Sequence, residues 1–137
     1  MKLTISEVGE KMNLTVHTIR YYDKEGLLPF VERTESGIRY FSEQDIEGLA
    51  LINCLKSTGM PIKEIKSFVD WCVEGDSTLN QRYAMFIERK ESVLKQISEL
   101  QKALDRIEHK CWYYKTAVEA GTEKVHENSA KHKPSAK

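Results

Sequence analysis

The sequence has little of what secreted, membrane and disulfide-rich proteins contain. Only three of its 137 residues are cysteine, namely Cys54, Cys72 and Cys111, and their odd number and wide spacing argue against a disulfide framework. No apolar run is long enough to span a bilayer. The first seven residues also lack the charged and then apolar layout of a secretion signal. We therefore expect a cytoplasmic protein with no membrane partner.

The sequence also lacks a charge excess of either sign, because 21 Lys and Arg residues balance 21 Asp and Glu residues. A strongly basic balance, which many nucleic-acid-binding domains have, is therefore missing. This balance does not exclude a local basic patch. Phosphate contacts need only a few well-placed arginine, lysine and tyrosine side chains and backbone N–H groups.

The residue pairs that thiol enzymes and metal sites use are missing as well. The sequence has no Cys-x-x-Cys pair and no Cys–His couple suited to thiol redox chemistry. Its cysteines are not clustered as an iron–sulfur centre requires, and no cysteine follows Cys111. We therefore expect no enzymatic activity, no metal and no cofactor.

The chain is predicted to have three parts. Residues 1–75 combine short helical patterns with frequent turn signals, and residues 76–118 form one long helical pattern. Residues 119–137 contain almost no apolar side chains, so we expect a disordered tail. With 40% hydrophobic and 31% charged residues, the composition fits a helix-rich chain with a modest core.

The first two predicted helices have the layout of a helix-turn-helix. The first should begin at Thr4 or Ser6, with Ser6 as a plausible N-cap. A tight turn follows, and Thr15 can cap a second helix that runs to about Lys24 and is ended by Gly26. Two short helices joined by a brief turn are typical of this DNA-binding motif.

A small β-hairpin, or wing, is predicted after the second helix. Two short extended runs flank the Ser36–Gly37 turn, and Arg33 and Arg39 lie near its two sides. Tyr40 could place its hydroxyl group on a phosphate. Two further helices follow, the first opened by a Ser42–Asp45 pattern that resembles a capping box.

The long helix carries a heptad seam, because nine positions, of which only Lys90 is plainly polar, alternate in steps of four and three. Its positions are Phe86, Lys90, Val93, Ile97, Leu100, Leu104, Ile107, Cys111 and Tyr114. A helix of this length cannot cover such a stripe by itself, so a second copy of the chain is the economical partner. Antiparallel pairing would place two DNA-binding heads at opposite ends and would require a palindromic site. Packing of the stripe on the chain's own N-terminal domain is the alternative.

The order of these motifs resembles the MerR family of bacterial transcription regulators. The resemblance rests on residues 4–8, 18–29, 37–41 and 59–65, and it covers residues 3 to about 70 closely. It implies an all-α fold with a small β wing: a winged helix-turn-helix head followed by a long antiparallel coiled-coil dimerisation helix. It also implies a regulator that bends and untwists promoters with an overlong spacer, so that RNA polymerase can engage both promoter elements.

The expected DNA contacts lie in the second helix, the wing and the fourth helix. From the residue pattern and the resemblance together they are Thr15, Val16, His17, Thr18, Arg20, Tyr21, Arg33, Ser36, Arg39, Tyr40 and Lys63. We expect Tyr22 to pack in the core. For His17, a base contact and a solvent-exposed position remain open.

The positions of the cysteines indicate which signal the regulator senses. Metal-sensing relatives carry a cysteine where this chain has residues 77–80, and drug-binding relatives append a larger domain. The chain is most similar to the branch that responds to aldehydes and other electrophiles, the AdhR- and NmlR-like regulators. Cys54 matches the cysteine that this branch carries after the wing, which suggests a thiol sensor. Packing is the alternative role for Cys54 and the preferred role for Cys72 and Cys111.

Two rival functions use the same fold. In the first, aromatic side chains between subunits bind a small hydrophobic ligand without a covalent bond. The residues concerned are Phe68, Trp71, Tyr83, Phe86, Trp112, Tyr113 and Tyr114, for which core and seam packing is the simpler role. In the second, the protein is an architectural DNA-binding protein with no effector.

Overall fold

The computed structural model describes residues 2–129 and contains five α-helices and three short strands within that range. The elements in chain order are β1 (Leu3–Thr4), α1 (Ile5–Met12), α2 (Val16–Lys24), β2 (Glu32–Arg33), β3 (Arg39–Phe41), α3 (Glu43–Ser57), α4 (Ile62–Glu74) and α5 (Leu79–Ala120). One short 3₁₀ helix spans Asp76–Thr78, and another spans Glu123–Ser129. Two compact units result: the head, which ends at Phe86, and a second unit, which begins at Ile87.

The helix-turn-helix is formed by α1 and α2, and local side-chain bonds define where each begins. Thr4, rather than Ser6, is the N-cap of α1: its hydroxyl accepts from the Glu7 N–H, and the Glu7 carboxylate accepts from the Thr4 N–H. Asn13, in the left-handed conformation with φ 56°, ends α1. The predicted cap at Thr15 is confirmed, because its hydroxyl accepts from the Thr18 N–H.

The wing belongs to a three-stranded antiparallel sheet with strand order β1-β3-β2. The hairpin of β2 and β3 was predicted, but the third strand was not. Leu3 pairs with Phe41 and Thr4 with Tyr40, so the residues just before α1 hold the wing's inner strand. The wing is therefore anchored on the same segment that starts the helix-turn-helix.

The core of the head lies between the sheet and helices α1 to α4. Its buried apolar residues are Val8, Ile19, Tyr22, Leu27, Leu28, Phe41, Leu49, Ile52, Leu55, Met60, Ile65, Phe68 and Val69. The expected core position of Tyr22 is confirmed, since only 4% of the residue is exposed. Burial is the main cause that raises the Tyr22 pKa, and the neighbouring Tyr21 adds to it.

A network of polar contacts joins α4 to the start of α5. Gly75 has φ 107° and ψ −160°, a conformation that essentially only glycine adopts. The buried Thr78 hydroxyl lies 2.7 Å from the carbonyl oxygens of both Trp71 and Gly75. Arg82 donates from Nε to the Thr78 hydroxyl and from Nη2 to the Gly75 carbonyl. These bonds fix the direction of the first turns of α5 within the head.

The head extends further than the predicted boundary at residue 75. The first two turns of α5 belong to it, and the Phe86 ring packs edge-on against Phe68 with centroids 5.3 Å apart. Phe86 therefore has a partner inside the head, and its expected place in the dimer seam stays a prediction.

The end of the chain also differs from the expectation of a disordered tail from residue 119. Helix α5 continues to Ala120, and Glu123–Ser129 form a 3₁₀ helix. The His126 ring stacks on Tyr113 with centroids 4.0 Å apart, and the Tyr113 hydroxyl donates to the Glu123 carboxylate at 2.8 Å. The tail prediction for residues 130–137 lies outside the described residues.

The head and the long helix of the predicted fold class are confirmed: short helices, a small wing sheet and one C-terminal helix of 42 residues. Within residues 2–129, no helix is long and apolar enough to cross a membrane.

Candidate nucleic-acid interface

Helix α2 separates its residues into a buried face and an exposed face. Ile19 and Tyr22 are buried, whereas His17 and Arg20 are exposed and Tyr21 is 43% exposed. The three- and four-residue spacing of a helix produces this division. Exposed His17, Arg20 and Tyr21 are therefore available to a ligand, as the predicted recognition role requires, and Val16 is half-buried beside them.

Two of the predicted contact residues already have partners at the N-terminus of α2. The Thr15 hydroxyl caps the helix by accepting from the Thr18 N–H at 3.0 Å. The hydroxyl oxygens of Thr15 and Thr18 are 2.8 Å apart, so they also bond to each other. This arrangement stabilises the start of the recognition helix. It leaves the positive end of the helix dipole as a favourable place for a phosphate.

The two wing arginines are brought together on one carboxylate of α2. Arg33 and Arg39 face each other across β2 and β3, and both donate to Oδ2 of Asp23, Arg33 through Nη2 and Arg39 through Nε. The Asp23 side chain is 10% exposed, the Arg39 side chain 20% and the Arg33 side chain 46%. Sequence reasoning missed Asp23, because nothing local shows that the end of α2 meets the wing.

The wing tip is shaped by its own hydrogen bonds. The Thr34 N–H donates to the Ile38 carbonyl at 2.8 Å, and the Thr34 hydroxyl accepts from the Ile38 N–H at 3.0 Å. Gly37 takes φ 90°, which a side chain would disfavour. The Ser36 hydroxyl lies 2.9 Å from that of Thr34, so this predicted contact residue also supports the turn.

The remaining predicted contacts lie on β3 and α4. Tyr40 is half-buried on β3, next to Arg39 and opposite Glu32. Lys63 is exposed in the first turn of α4. Their contacts with DNA stay predictions.

The three cysteines have different surroundings. Cys54 is exposed on α3, and Cys111 is exposed on the seam of α5. Cys72 is half-buried and lines a cavity of about 580 Å³ in the head, together with Leu28, Phe30 and Val69. The preferred packing role suits Cys72, whereas Cys54 has the solvent access that a reactive thiol needs. Among the described residues, no group of His, Cys, Asp and Glu could hold a metal ion.

The heptad seam of the second unit is largely open to solvent in the single chain. The exposed fractions are 56% for Ile97, 70% for Leu100, 46% for Leu104, 58% for Ile107 and 51% for Tyr114. Val93 is half-buried, and Cys111 is exposed. Contiguous exposed apolar side chains of this kind mark an interaction surface.

Most of the aromatic residues considered for a ligand pocket pack within their own units, whereas Tyr83 is 70% exposed. Phe68 and Phe86 contact each other in the head, and Trp71 packs against the head core. In the second unit, Trp112 and Tyr113 both contact the His126 ring. The structure thus gives most of this set a packing partner.

Comparison with known proteins agrees with this architecture. The family model described as MerR HTH family regulatory protein matches residues 3–70, and the model described as MerR, DNA binding matches residues 46–110. An uncharacterised HTH-type transcriptional regulator of Haemophilus influenzae is 41% identical over 91% of this chain and 93% of its own length. The regulator AdhR of Bacillus subtilis is 32% identical over 67% of this chain and 66% of its own.

Solved structures of MerR family regulators also resemble this chain. HiNmlR, described as a MerR family regulator lacking the sensor domain and crystallised bound to promoter DNA, is 41% identical and superposes with a TM-score of 0.86. The match covers 91% of this chain and 99% of that one. A MerR family regulator from Bacillus thuringiensis is 45% identical over 81% of this chain and 97% of its own, with a TM-score of 0.76. The chain therefore belongs to the MerR family of DNA-binding transcriptional regulators and is not an enzyme.

Proposed function

We propose that this regulator acts in the cytoplasm as a homodimer that binds a palindromic promoter site through α2 and the wing. The observation that carries the proposal is the pairing of an exposed recognition face with an exposed apolar seam. His17 and Arg20 are open to solvent on α2, and Leu100 is 70% exposed on α5. Its relative HiNmlR has been crystallised on promoter DNA, which supports the same partner here.

The dimer is proposed to form through antiparallel pairing of α5. The helix has 42 residues and is about 63 Å long at 1.5 Å per residue. Of its residues only Ala117 is buried in the single chain, so its apolar stripe needs a partner. A second copy covers the stripe with the same residues, as two-fold symmetry requires.

The proposed action on the promoter is deformation of an overlong spacer, which brings both promoter elements into register for RNA polymerase. Bending a site of this size costs several kcal/mol, so an effector must favour the distorting conformation. Permanganate reactivity of the spacer and run-off transcription, each measured with and without effector, test this step. An unchanged spacer in a transcriptionally active complex would contradict it.

The direct test of the DNA-binding surface is Arg20→Ala, with Lys24→Ala as the control. Both changes remove one positive charge from an exposed residue of α2. If Arg20 contacts a base, its loss costs about 1–3 kcal/mol, or roughly 5- to 150-fold in the operator dissociation constant. Footprinting and fluorescence anisotropy measure the change. Equal effects of the two substitutions would remove Arg20 from the specific contacts.

The proposed effector is an aldehyde or another thiol-reactive electrophile, and Cys54 is its proposed target. The Cys54 thiolate adds to the carbonyl carbon and forms a C–S bond, while the carbonyl oxygen takes up a proton to give a hemithioacetal. The exposed position of Cys54 on α3 supports this access. The adduct adds bulk and polarity to a helix that carries core residues on its other face.

The test compares formaldehyde-induced transcription in vitro for the wild type, Cys54→Ala and the double substitution Cys72→Ala/Cys111→Ala. We expect loss of induction only in Cys54→Ala, because the other two cysteines are proposed to pack. Induction that survives in Cys54→Ala would exclude it as the switch.

A noncovalent apolar effector is the second candidate, and the cavity of about 580 Å³ in the head favours it. Gly48 lines this cavity, and a Cβ atom at this position would have no atom within 4 Å apart from its chain neighbours and the nearby backbone of α3. A leucine side chain at Gly48 would therefore start in open space and would reduce the cavity. Loss of induction in Gly48→Leu but not in Cys54→Ala would favour this candidate over thiol sensing.

A further inference from the structure

Asp23 connects the recognition helix to the wing through charged hydrogen bonds. Within residues 2–129, no other residue of α2 has a described ion pair with the wing. A single oxygen atom, Oδ2, accepts from Arg33 of β2 and from Arg39 of β3, with the Arg39 Nε at 2.5 Å. The two arginines are direct partners in the strand register. Asp23 lies in the last turn of α2.

The charges explain why a carboxylate is needed at this point. Two guanidinium groups on directly opposite strand positions repel each other. One carboxylate between them offsets that repulsion and forms two charge-assisted hydrogen bonds. The cluster retains a net charge of +1, so it remains attractive to a phosphate.

The exposed fractions of the three side chains show which of them lies nearest to the solvent. The Asp23 side chain is 10% exposed, less than that of Arg39 at 20% and of Arg33 at 46%. The carboxylate therefore lies on the inner side of the two guanidinium groups. A guanidinium group has five N–H donors, so each arginine keeps donors for a partner on the solvent side.

We propose that Asp23 is a positioning residue for DNA binding: it orients the Arg33 and Arg39 guanidinium groups so that their outer N–H donors meet the phosphates beside the recognition helix. The inference rests on the proposed function, because it assumes that the wing contacts DNA. In this proposal an acidic residue increases DNA affinity, whereas repulsion between its negative charge and the phosphates would by itself decrease that affinity.

The sign of the effect makes the proposal testable with Asp23→Asn. This substitution keeps the shape and removes the negative charge. If Asp23 only weakened the basic surface, its neutralisation would strengthen DNA binding. If it positions the arginines, operator affinity falls by about tenfold. This is less than the loss of one partner from a fully desolvated charge pair would cost, because the Arg33 side chain is 46% exposed.

Glu25→Gln is the matched control, because Glu25 is an exposed carboxylate two residues further along the chain. Its neutralisation should leave affinity unchanged or slightly raised. Affinity for the wild-type operator is measured by fluorescence anisotropy at several salt concentrations. For Asp23→Asn we also expect the slope of log K against log salt concentration to become shallower by about 1 to 2, since each lost phosphate contact contributes about 0.9. A merely less stable fold would not change this slope.

Rescue by the conservative variant completes the test. Asp23→Glu retains the charge and should recover most of the lost affinity. If Asp23→Asn fails to fold, Arg39→Lys replaces it: the charge count is unchanged, but a lysine ammonium cannot donate to Asp23 and to a phosphate from two fixed directions. Weaker binding of Arg39→Lys supports the proposal, and unchanged binding overturns it.

These outcomes distinguish failure of the proposed DNA-binding function from failure of the proposed role of Asp23. If the wild type and Glu25→Gln both fail to bind a symmetric operator, the proposed function fails. If they bind and Asp23→Asn binds as tightly or more tightly, the positioning role of Asp23 alone is refuted.

Discussion

Replacing Thr78 with valine removes one buried hydroxyl group from the junction between α4 and α5. Thr78 is 1% exposed, so no solvent can replace the bonds that are lost. Its hydroxyl lies 2.7 Å from the Trp71 and Gly75 carbonyl oxygens and accepts from Arg82 Nε at 3.1 Å. Valine has nearly the same shape but can neither donate nor accept.

The size of the stability loss depends on which hydrogen bonds the former partners of Thr78 still make. The Trp71 carbonyl still accepts from the Gly75 N–H at 3.0 Å, and the Gly75 carbonyl still accepts from Arg82 Nη2 at 2.8 Å. Arg82 Nε is the group that loses its acceptor at this site. Loss of one satisfied bond and desolvation of the remaining donor cost about 1–3 kcal/mol. We expect the free energy of unfolding to fall by that amount in Thr78→Val.

Urea denaturation followed by circular dichroism measures this loss, at one fixed protein concentration because dimer stability depends on concentration. Thr116→Val is the control. The Thr116 hydroxyl donates to the Trp112 carbonyl four residues earlier in α5, a bond that adds little to a helix. A loss in Thr78→Val no larger than in Thr116→Val would refute the view that the buried hydroxyl stabilises this junction.

Three further predictions address the seam, a helix cap and a buried tyrosine. Leu100→Lys should convert the dimer to a monomer in sedimentation analysis, because it places a charge in the apolar seam, whereas Ser98→Lys should leave the dimer intact. Ser42→Ala should lower thermal stability by about 1 kcal/mol, because the hydroxyl that accepts from the Asp45 N–H is lost; an unchanged melting curve would contradict this. Since the folded-state pKa of Tyr22 is raised, its contribution to stability is present below pH values near 10 and is lost as the pH rises through the folded-state pKa. Tyr22→Phe should therefore show a smaller loss of urea stability between pH 9 and pH 11 than the wild type, and equal losses would count against this linkage.

The local features of the fold were predictable from neighbouring residues alone. The cap at Thr15 and the capping box of Ser42 and Asp45 follow from side chains three residues apart. The apolar seam of α5, including Leu100, follows from a repeat along one helix. The family motifs in residues 3–70 also lie in one continuous segment, which is why the sequence was sufficient to assign the family.

The tertiary structure decided what depends on residues far apart in the chain. Strand β1 exists because Leu3 and Thr4 pair with β3, a contact that no local pattern shows. Phe86 fits the heptad repeat but packs on Phe68. This contact depends on the direction in which α5 starts after α4, which no local pattern shows. Asp23 meets Arg33 and Arg39 only after the chain has folded.

The physical reason is the range of the interactions involved. Helix caps, turns and heptad stripes are set by backbone geometry over a few residues, so the sequence determines them directly. Ion pairs and core contacts between distant segments depend on where the whole chain places those segments, and only the folded molecule determines that placement.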